Sequence, residues 1–490
     1  MALNVETAMH GRLLVVDVGT SSVRSAVVDA DAHVVVEHRA PLLPDSPAPG
    51  LVEFDATAMA GVVLDLARRA LADGGPVDGV GIANQRASTV VWDRSTGMPV
   101  APGIGWQDLR TVGRCLELRA QGSTFPPNFS ATKIEAILDA EDPERARDLA
   151  FGTVDSWVAW ILSEGALHVT DASNAQVTAL RTVPNERWDP DRIGLMQIPE
   201  RMLPAVVDSS GVVGPATALR GAPPIAGILG DQQASLLGQG CVRPGDAKIT
   251  FGTGGMLDLV LGDERPAFPD RSAAGCFPIV TRRLAGADQW GLEAAMLAAG
   301  TNVEWLRDDL GIITTAEESD ALAASCDDTG DVWYVPALLG LGTPKFDYGA
   351  RGTLLGLTRG TGRAEVVRAV LEGIAHRGAD LVEAAEADAV LRVDALHVDG
   401  GMAANATFVQ ALADATQRVI EIAPVREATT LGAAFAAGLA LGLWSGDDVI
   451  AATWHPARRV EPHQMLDRDR WRTALARAEG WIPELSTIEL

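Results

Sequence analysis

LLVVDVGTSSVRSAVVD, residues 13–29, is an apolar run, a polar turn and a second apolar run. Two strands joined by Asp17-Val18-Gly19-Thr20-Ser21-Ser22 form a hairpin whose turn exposes backbone N–H groups. AKITFGTGGMLDLV, residues 247–260, has the same layout around Gly252-Thr253-Gly254-Gly255. Between the two hairpins stands Gly230-Asp231-Gln232-Gln233. Two similar turns, each able to bind an anion through its backbone, suggest two halves gripping one polyphosphate. An ATP-dependent phosphotransferase is the first expectation.

Composition fits that outline. A chain of 490 residues exceeds one ordinary core, so two domains are expected. The net charge of −25 argues against a nucleic-acid or anionic-membrane partner, since either needs a basic footprint. Only Lys133, Lys248 and Lys345 are lysines among 40 basic residues, a skew read as compositional. Cys115, Cys241, Cys276 and Cys326 are scattered without a CxxC and are expected to be free thiols. The N-terminus lacks a signal-peptide layout, and the apolar stretch Ala428–Trp444 is short for a membrane span. A cytoplasmic protein with no membrane partner is expected.

The order of elements reads as a duplication. Apolar runs near 12–17, 23–28 and 33–37 predict a three-stranded antiparallel meander. A helix from Asp55 to about Ala72 and a buried strand Val77–Ala83 follow, and the strand leads into Asn84-Gln85-Arg86. Further helices are predicted over 107–120, 132–140 and 151–163, the last with Trp157 and Trp160 as core. After Gly240 the pattern restarts with strands near 247–251, 256–261 and 276–280. Helices over 291–309 and 363–387 come next, then the strand Ala395–Val398 ending in Asp399-Gly400-Gly401. A helix to Gln417, a strand Val419–Ile422 and an apolar helix close the pattern; the polar tail after Ser445 is uninformative. Strand triplets followed by alternating helices and strands, twice over, describe an α/β duplication. The halves are expected to be residues 1–240 and 241–490.

Phosphoryl transfer needs a positioned nucleophile, a base, Mg²⁺ and donors around the moving group. Asp17, at a strand end before a glycine turn, suits Mg²⁺ directly or through water. Gly19 admits an anion to the backbone, and Thr20, Ser21 and Ser22 add hydroxyls. Asp231 follows a buried apolar run and could accept a hydroxyl proton; capping the helix that begins at Gln232 is the competing role. Arg24 could reach a γ-phosphate or simply be solvated. Arg86 could bind a substrate hydroxyl, and Trp106 could pack on substrate carbons. No Walker A lysine motif exists, and none of the eight histidines forms a metal-ligand motif such as HExxH, so no histidine-based metal site is expected.

Taken in order, DVGTSSVRSAVVD, NQRASTVVWDRSTGMPV, GWQDLR, FSATK, FGTVDSWVAW, HVTDASNA, GDQQASLLGQGCV, FGTGG, WLRDDLG, VPALLGLGTPKFDYGARGTLLGLTRG, VLEGIA, HVDGGMAANATFVQ and ATTLGAAFAAGLALGLW span residues 12 to 444 nearly throughout. The chain resembles the FGGY carbohydrate kinases, and among them is similar to the glycerol kinases. The resemblance implies an actin-like/hexokinase-like (ribonuclease H-like) α/β fold, with two domains closing over an ATP cleft. It implies nucleotide mainly on the second half and substrate mainly on the first. By motif match it places Asp17, with Asp231, at Mg²⁺, and Gly19, Thr20, Ser21 and Arg24 at phosphates. Gly252 and Thr253 fall at the β/γ-phosphates, and Gly300, Gly401 and Asn405 at the nucleotide. Asp231 would be the general base, beside Gln232, Arg86 and Trp106 at the substrate. A homodimer or tetramer is implied in the same way.

Three departures bear on the acceptor. Glycerol kinases read NQRE, whereas this chain reads Asn84-Gln85-Arg86-Ala87, so an acidic hydroxyl acceptor is missing. Expected aromatics are replaced by Asn128 and Met256. The loop tied to sugar-bisphosphate inhibition is reduced to Arg220-Gly221-Ala222-Pro223, and that regulation is expected to be absent. The leading expectation is phosphorylation of glycerol to glycerol 3-phosphate. A larger polyol or sugar is the alternative, and a non-kinase actin-like ATPase or a sensor is the remote one.

Overall fold

The computed structural model describes residues 9–183, 186–424 and 427–488; the leader reading of residues 1–8 lies outside the described residues. The opening stretch forms β1 (Arg12–Val18) and β2 (Ser22–Asp29), an antiparallel pair extended by β3 (Val34–Pro41). α1 (Ala56–Gly74) follows, its start fixed by Asp55, whose carboxylate accepts from Thr57 N and Ala58 N. β4 (Gly79–Asn84) pairs parallel to β1, and β5 (Ser210–Pro215) and β6 (Pro224–Gly230) complete a six-stranded sheet, order β5-β6-β4-β1-β2-β3. α2 (Asp231–Gly238) leaves the end of β6 directly.

The second half repeats this with β7 (Ala247–Phe251), β8 (Gly255–Gly262), β9 (Phe277–Leu284) and β10 (Ala287–Met296). α3 (Arg363–Ala389), β11 (Ala395–Asp399), α4 (Ala406–Thr416), β12 (Val419–Ile422), α5 (Ala428–Leu441) and β13 (Arg458–Val460) follow. The seven-stranded sheet runs β9-β10-β8-β7-β11-β12-β13. In both sheets an antiparallel hairpin is flanked by strands added in parallel, as the duplicated sequence pattern implies.

Three expectations are corrected. Residues 291–296, read as the start of a helix, belong to β10, which pairs with β8 on one side and β9 on the other. Gly-Leu-Glu-Ala-Ala-Met has helix-forming composition, but ladder bonds on both edges outweigh local propensity. Only Thr301–Glu304 and one wider turn, Trp305–Asp309, are helical in the predicted 291–309 segment. Phe151 lies in the strand Leu149–Gly152, and the helix starts at Val154; the helix predicted from 107 starts at Val112. Trp157 is buried core and packs on Trp92, which also meets Trp160; Trp160, expected as core, is only half-buried.

Chain order and packing part company at α5. This apolar helix of the second half lies on the first sheet, with Ala433 to Ala437 joining Leu13, Val15, Ala83, Ala226 and Leu229 in one buried cluster. α2 packs alongside α5, while Leu236 on α2 meets Val260 of the second sheet. The two halves therefore interlock through one helix each. Past Ser445, Ile450 joins the buried cluster over the first sheet, and α6 (Arg468–Ala478) buries Trp471 against the second half. Among the described residues, no helix is long and apolar enough to cross a membrane. All four cysteines are free thiols.

Candidate active site

β1, β4 and β6 run parallel and end side by side, and hydrogen bonds fix what they carry. Asn84 and Asn174 exchange side-chain amide bonds at 2.9 and 3.0 Å. Asp171 accepts from Asn174 Nδ2, Ser173 Oγ and Ser209 Oγ, and Ser173 Oγ in turn accepts from Gly230 N at 3.0 Å. This buried network joins the ends of β4 and β6, the strands leading to Arg86 and Asp231. Its members are mutually satisfied, which makes such a network rigid.

Trp106 is tied to the first turn. Gln85 N donates to Val18 O and Gln85 Nε2 to Gly19 O. Ser88 Oγ donates to Gln85 Oε1 and accepts from Trp106 N, and Trp106 Nε1 donates to Thr20 Oγ1 at 3.2 Å. Lys133, fully buried, donates to the carbonyls of Gly105, Trp106 and Asn128 at 2.8, 3.1 and 3.2 Å. The aromatic wall, the Asn128 segment and the first turn thus form one unit.

Asp17 is opposite Arg24 in the β1–β2 ladder and beside Ala83 of β4. Burial pushes its carboxyl up to about 7; Arg24 opposes the shift and Asp231 adds to it. Arg24 also reaches across to Thr430 of α5 at 3.5 Å. Asp231 is the first residue of α2 and accepts from its neighbour's N–H, Gln232 N, at 2.9 Å. It is not the cap of that helix; Gly230 holds the cap position. Burial raises the Asp231 pKa and Arg86 opposes the rise, leaving a carboxylate of increased basicity at the helix's positive end.

Arg86 lies across Gly230, where a Cβ would collide with the arginine stem. Its Nε is 3.8 Å from Asp231 Oδ1, and its Nη2 bonds Glu293 Oε2 of β10 at 2.6 Å. Burial disfavours the guanidinium charge, but Glu293, Asp231 and Asp258 more than offset this and hold Arg86 above its ordinary pKa. Gln232 Oε1 accepts from Lys248 Nζ at 2.6 Å, which also lies 3.0 Å from Asp258 Oδ2. The ladder places Lys248 opposite Asp258, and Asp258 opposite Glu293. A charged row therefore crosses the second sheet and ends on Arg86 of the first half. Two carboxylates facing each other across strands repel; Lys248 and Arg86, one at each end, compensate them.

The remaining predicted residues scatter more. In the second turn, Gly252 O accepts from Gly300 N at 2.8 Å and Thr253 O from Thr301 Oγ1 at 2.8 Å, so Gly252, Thr253 and Gly300 form one corner. Ser21 and Gly401 are exposed at their turns. Met256 is half-buried on β8 opposite Thr250 and Ala295. Asn128 is exposed, and its carbonyl is the group tied to Lys133. Asn405 caps α4, with Oδ1 accepting from Phe408 N and Nδ2 donating to Ser319 Oγ, so both ends of its side chain have protein partners.

Residues 12–238 match the N-terminal domain, and residues 247–441 the C-terminal domain, of the FGGY family of carbohydrate kinases. This chain belongs to that family. An FGGY kinase is a phosphotransferase, and membership implies the use of ATP. The chain is 44% identical to a glycerol kinase of Aromatoleum aromaticum, covering 96% of this chain and 99% of that one. It is 40% identical to glycerol kinase 2 of Thermotoga maritima, covering 96% and 99%. Its fold is similar to that of Plasmodium falciparum glycerol kinase, solved with ADP, with TM-score 0.88, 26% identity and coverage of 98% and 99%. A xylulose kinase from Rhodospirillum rubrum, 20% identical over 95% of this chain and 98% of its own, shares the fold with TM-score 0.81. The small-molecule kinase fold expected from the sequence is the one found.

Lys133, Lys248, Asp258 and Glu293 were not singled out from the sequence. For Lys133, Lys248 and Asp258 a signal was available: a charged residue within an otherwise apolar strand or helix. Two of the three lysines in an arginine-rich chain are these buried ones.

Proposed function

We propose that this FGGY kinase transfers the γ-phosphoryl group of ATP to a terminal hydroxyl of glycerol, giving glycerol 3-phosphate. The carrying observation is Asp231, a half-buried carboxylate of raised basicity at a helix N-terminus, beside Arg86. Glycerol kinases at 44% and 40% identity over nearly the whole chain support the acceptor. The first half, residues 1–240, carries the acceptor site and base, and the second, 241–490, carries the nucleotide site.

Asp231 removes the proton of the attacking hydroxyl as its oxygen bonds the γ-phosphorus and the bond to the ADP oxygen breaks. Arg86 orients the acceptor, and Trp106 covers its carbons. Backbone N–H groups of the turns at Gly19 and Gly252 hold phosphate oxygens, with Thr20, Ser21, Arg24 and Thr253 beside them. Asp17 and Asp231 are half-buried carboxylates, and the charge of Asp231 helps to raise the Asp17 pKa, a donor set that fits a divalent cation. They would hold Mg²⁺, which neutralises charge on phosphate oxygens.

Ala87 favours one second reading, a larger polyol, because its buried side chain offers no hydroxyl partner. Coupled ADP release over glycerol, tetritols, pentitols and ketoses tests both. Glycerol should give the highest kcat/KM; a pentitol or ketose ahead of it would reassign the acceptor. Asp231→Asn should lower kcat by about 10²–10⁴-fold with ATP binding retained by calorimetry. An Asn variant as fast as wild type would remove Asp231 from the chemistry.

A further inference from the structure

We propose that Glu293, on the second half's sheet, accepts a hydrogen bond from a non-reacting hydroxyl of the polyol and so sets acceptor specificity. This rests on the polyol kinase reading above and adds a residue to it.

Position 87 offers no polar side chain. Ala87 is buried with φ +61°, and its carbonyl is occupied by Ser130 Oγ and Thr89 Oγ1. The carboxylate nearest the Arg86 fork is Glu293 at 2.6 Å, delivered from the other side of the cleft. Its side chain is 12% exposed, so it is desolvated on most sides and retains a small accessible area. Arg86 Nη1 is buried and has no hydrogen-bond partner. A buried guanidinium N–H without a partner is costly, and a ligand hydroxyl at this fork would satisfy it. That hydroxyl, receiving from Arg86, must donate its own proton to an acceptor close by, and Glu293 is placed for it. The other flank of the same guanidinium faces Asp231 at 3.8 Å. One guanidinium thus spaces the hydroxyl-holding carboxylate from the base, which suits hydroxyls on neighbouring carbons. Behind Glu293, Lys248 balances Asp258, so Glu293 does not face an uncompensated like charge.

A consequence is that the acceptor is gripped by both halves at once. The first supplies Arg86 and Asp231, and the second supplies Glu293. Polyol binding would then favour the closed cleft before ATP is attacked.

The test uses the full chain, wild type and Glu293→Gln, with glycerol and its singly deoxygenated analogues 1,2-propanediol and 1,3-propanediol. Glu293→Gln should lower kcat/KM for glycerol by about 10–100-fold, mainly through KM, with KM for ATP nearly unchanged. The diol lacking the held hydroxyl should lose much less, so discrimination between glycerol and that diol collapses. Adding Ala87→Glu to Glu293→Gln should restore much of it, and Glu293→Asp should fall between, which separates a lost contact from misfolding. Equal losses on glycerol and both diols, or an unchanged glycerol kcat/KM, would overturn the proposal. A wild type that turns over no polyol would instead overturn the function on which it rests.

Discussion

Lys133 carries three N–H groups, and three backbone carbonyls accept from them: Gly105, Trp106 and Asn128. Burial pulls its pKa down to about 7, with Asp108 opposing the shift, so holding the ammonium here is costly. Lys133→Met would remove the donor from the Trp106 and Asn128 carbonyls, while Gly105 O keeps Asp108 N, and would free the Trp106 and Asn128 segments to separate. The variant should lose about 2–4 kcal/mol of stability by urea titration. Its KM for the polyol should rise while KM for ATP stays within about twofold, since the second turn does not touch Lys133. Equal effects on both substrates would mean that Lys133 supports the whole fold and not the acceptor wall. At this scale Asp17, Arg86, Trp106 and Asp231 were legible in the sequence because each ends an apolar run or stands beside a glycine. Glu293 was not, because its strand reads as a helix and its partner lies 207 residues away.

At the scale of elements, α2 and α5 cross so closely that their backbones touch. A Cβ at Gly432 would collide with the Ala234 carbonyl, and one at Gly238 with the Ala428 carbonyl. Neither collision can be relieved by moving a side chain. Gly432→Ala should therefore destabilise by roughly 1–3 kcal/mol or more, read from thermal and urea unfolding. Gly61→Ala is the control, because Gly61 lies on α1 with open space around its Cβ. There the same change should stabilise by about 0.5–1 kcal/mol. Equal effects at the two sites would remove the argument that α5 requires glycine at its crossing. The sequence marked α5 as an apolar buried helix but gave no indication that it covers the sheet of the other half. Periodicity describes which residues are inward, not which surface they meet.

For the whole molecule, the C-terminal tail is fastened at His376. Its ring stacks on Trp471 at 4.9 Å between centroids, and Arg468 Nη1 approaches His376 Nδ1 at 3.1 Å, which makes Nδ1 the acceptor of a neutral ring. Burial, with Arg468 adding to it, pushes the His376 pKa down to about 3. The unfolded chain takes up the proton near pH 6.5, so this contribution is complete above 6.5 and is lost as pH falls toward 3. Asp17 and Asp155, both pushed up to about 7 by burial, act in the opposite sense: their folded forms bind protons first, so they add stability as pH falls from 7 to about 4. The effect of His376 is thus read as a difference. From pH 6.5 to 4.5, wild type should lose about 2–3 kcal/mol relative to His376→Phe. Parallel curves would mean that His376 does not titrate in this window.

The paired hairpins, their order along the chain and the two phosphate-type turns were determined by the sequence itself. Local patterns of apolar residues, glycine and carboxylates specify strands, turns and chemistry within a few residues of one another. The tertiary structure alone decided which half supplies what to the cleft. It put α5 on the first sheet, made β10 a strand between two neighbours, and brought Lys248, Asp258 and Glu293 into one row facing Arg86. Those contacts join residues far apart in the chain, and their energies depend on burial and on the charges opposite, which no single stretch of sequence contains.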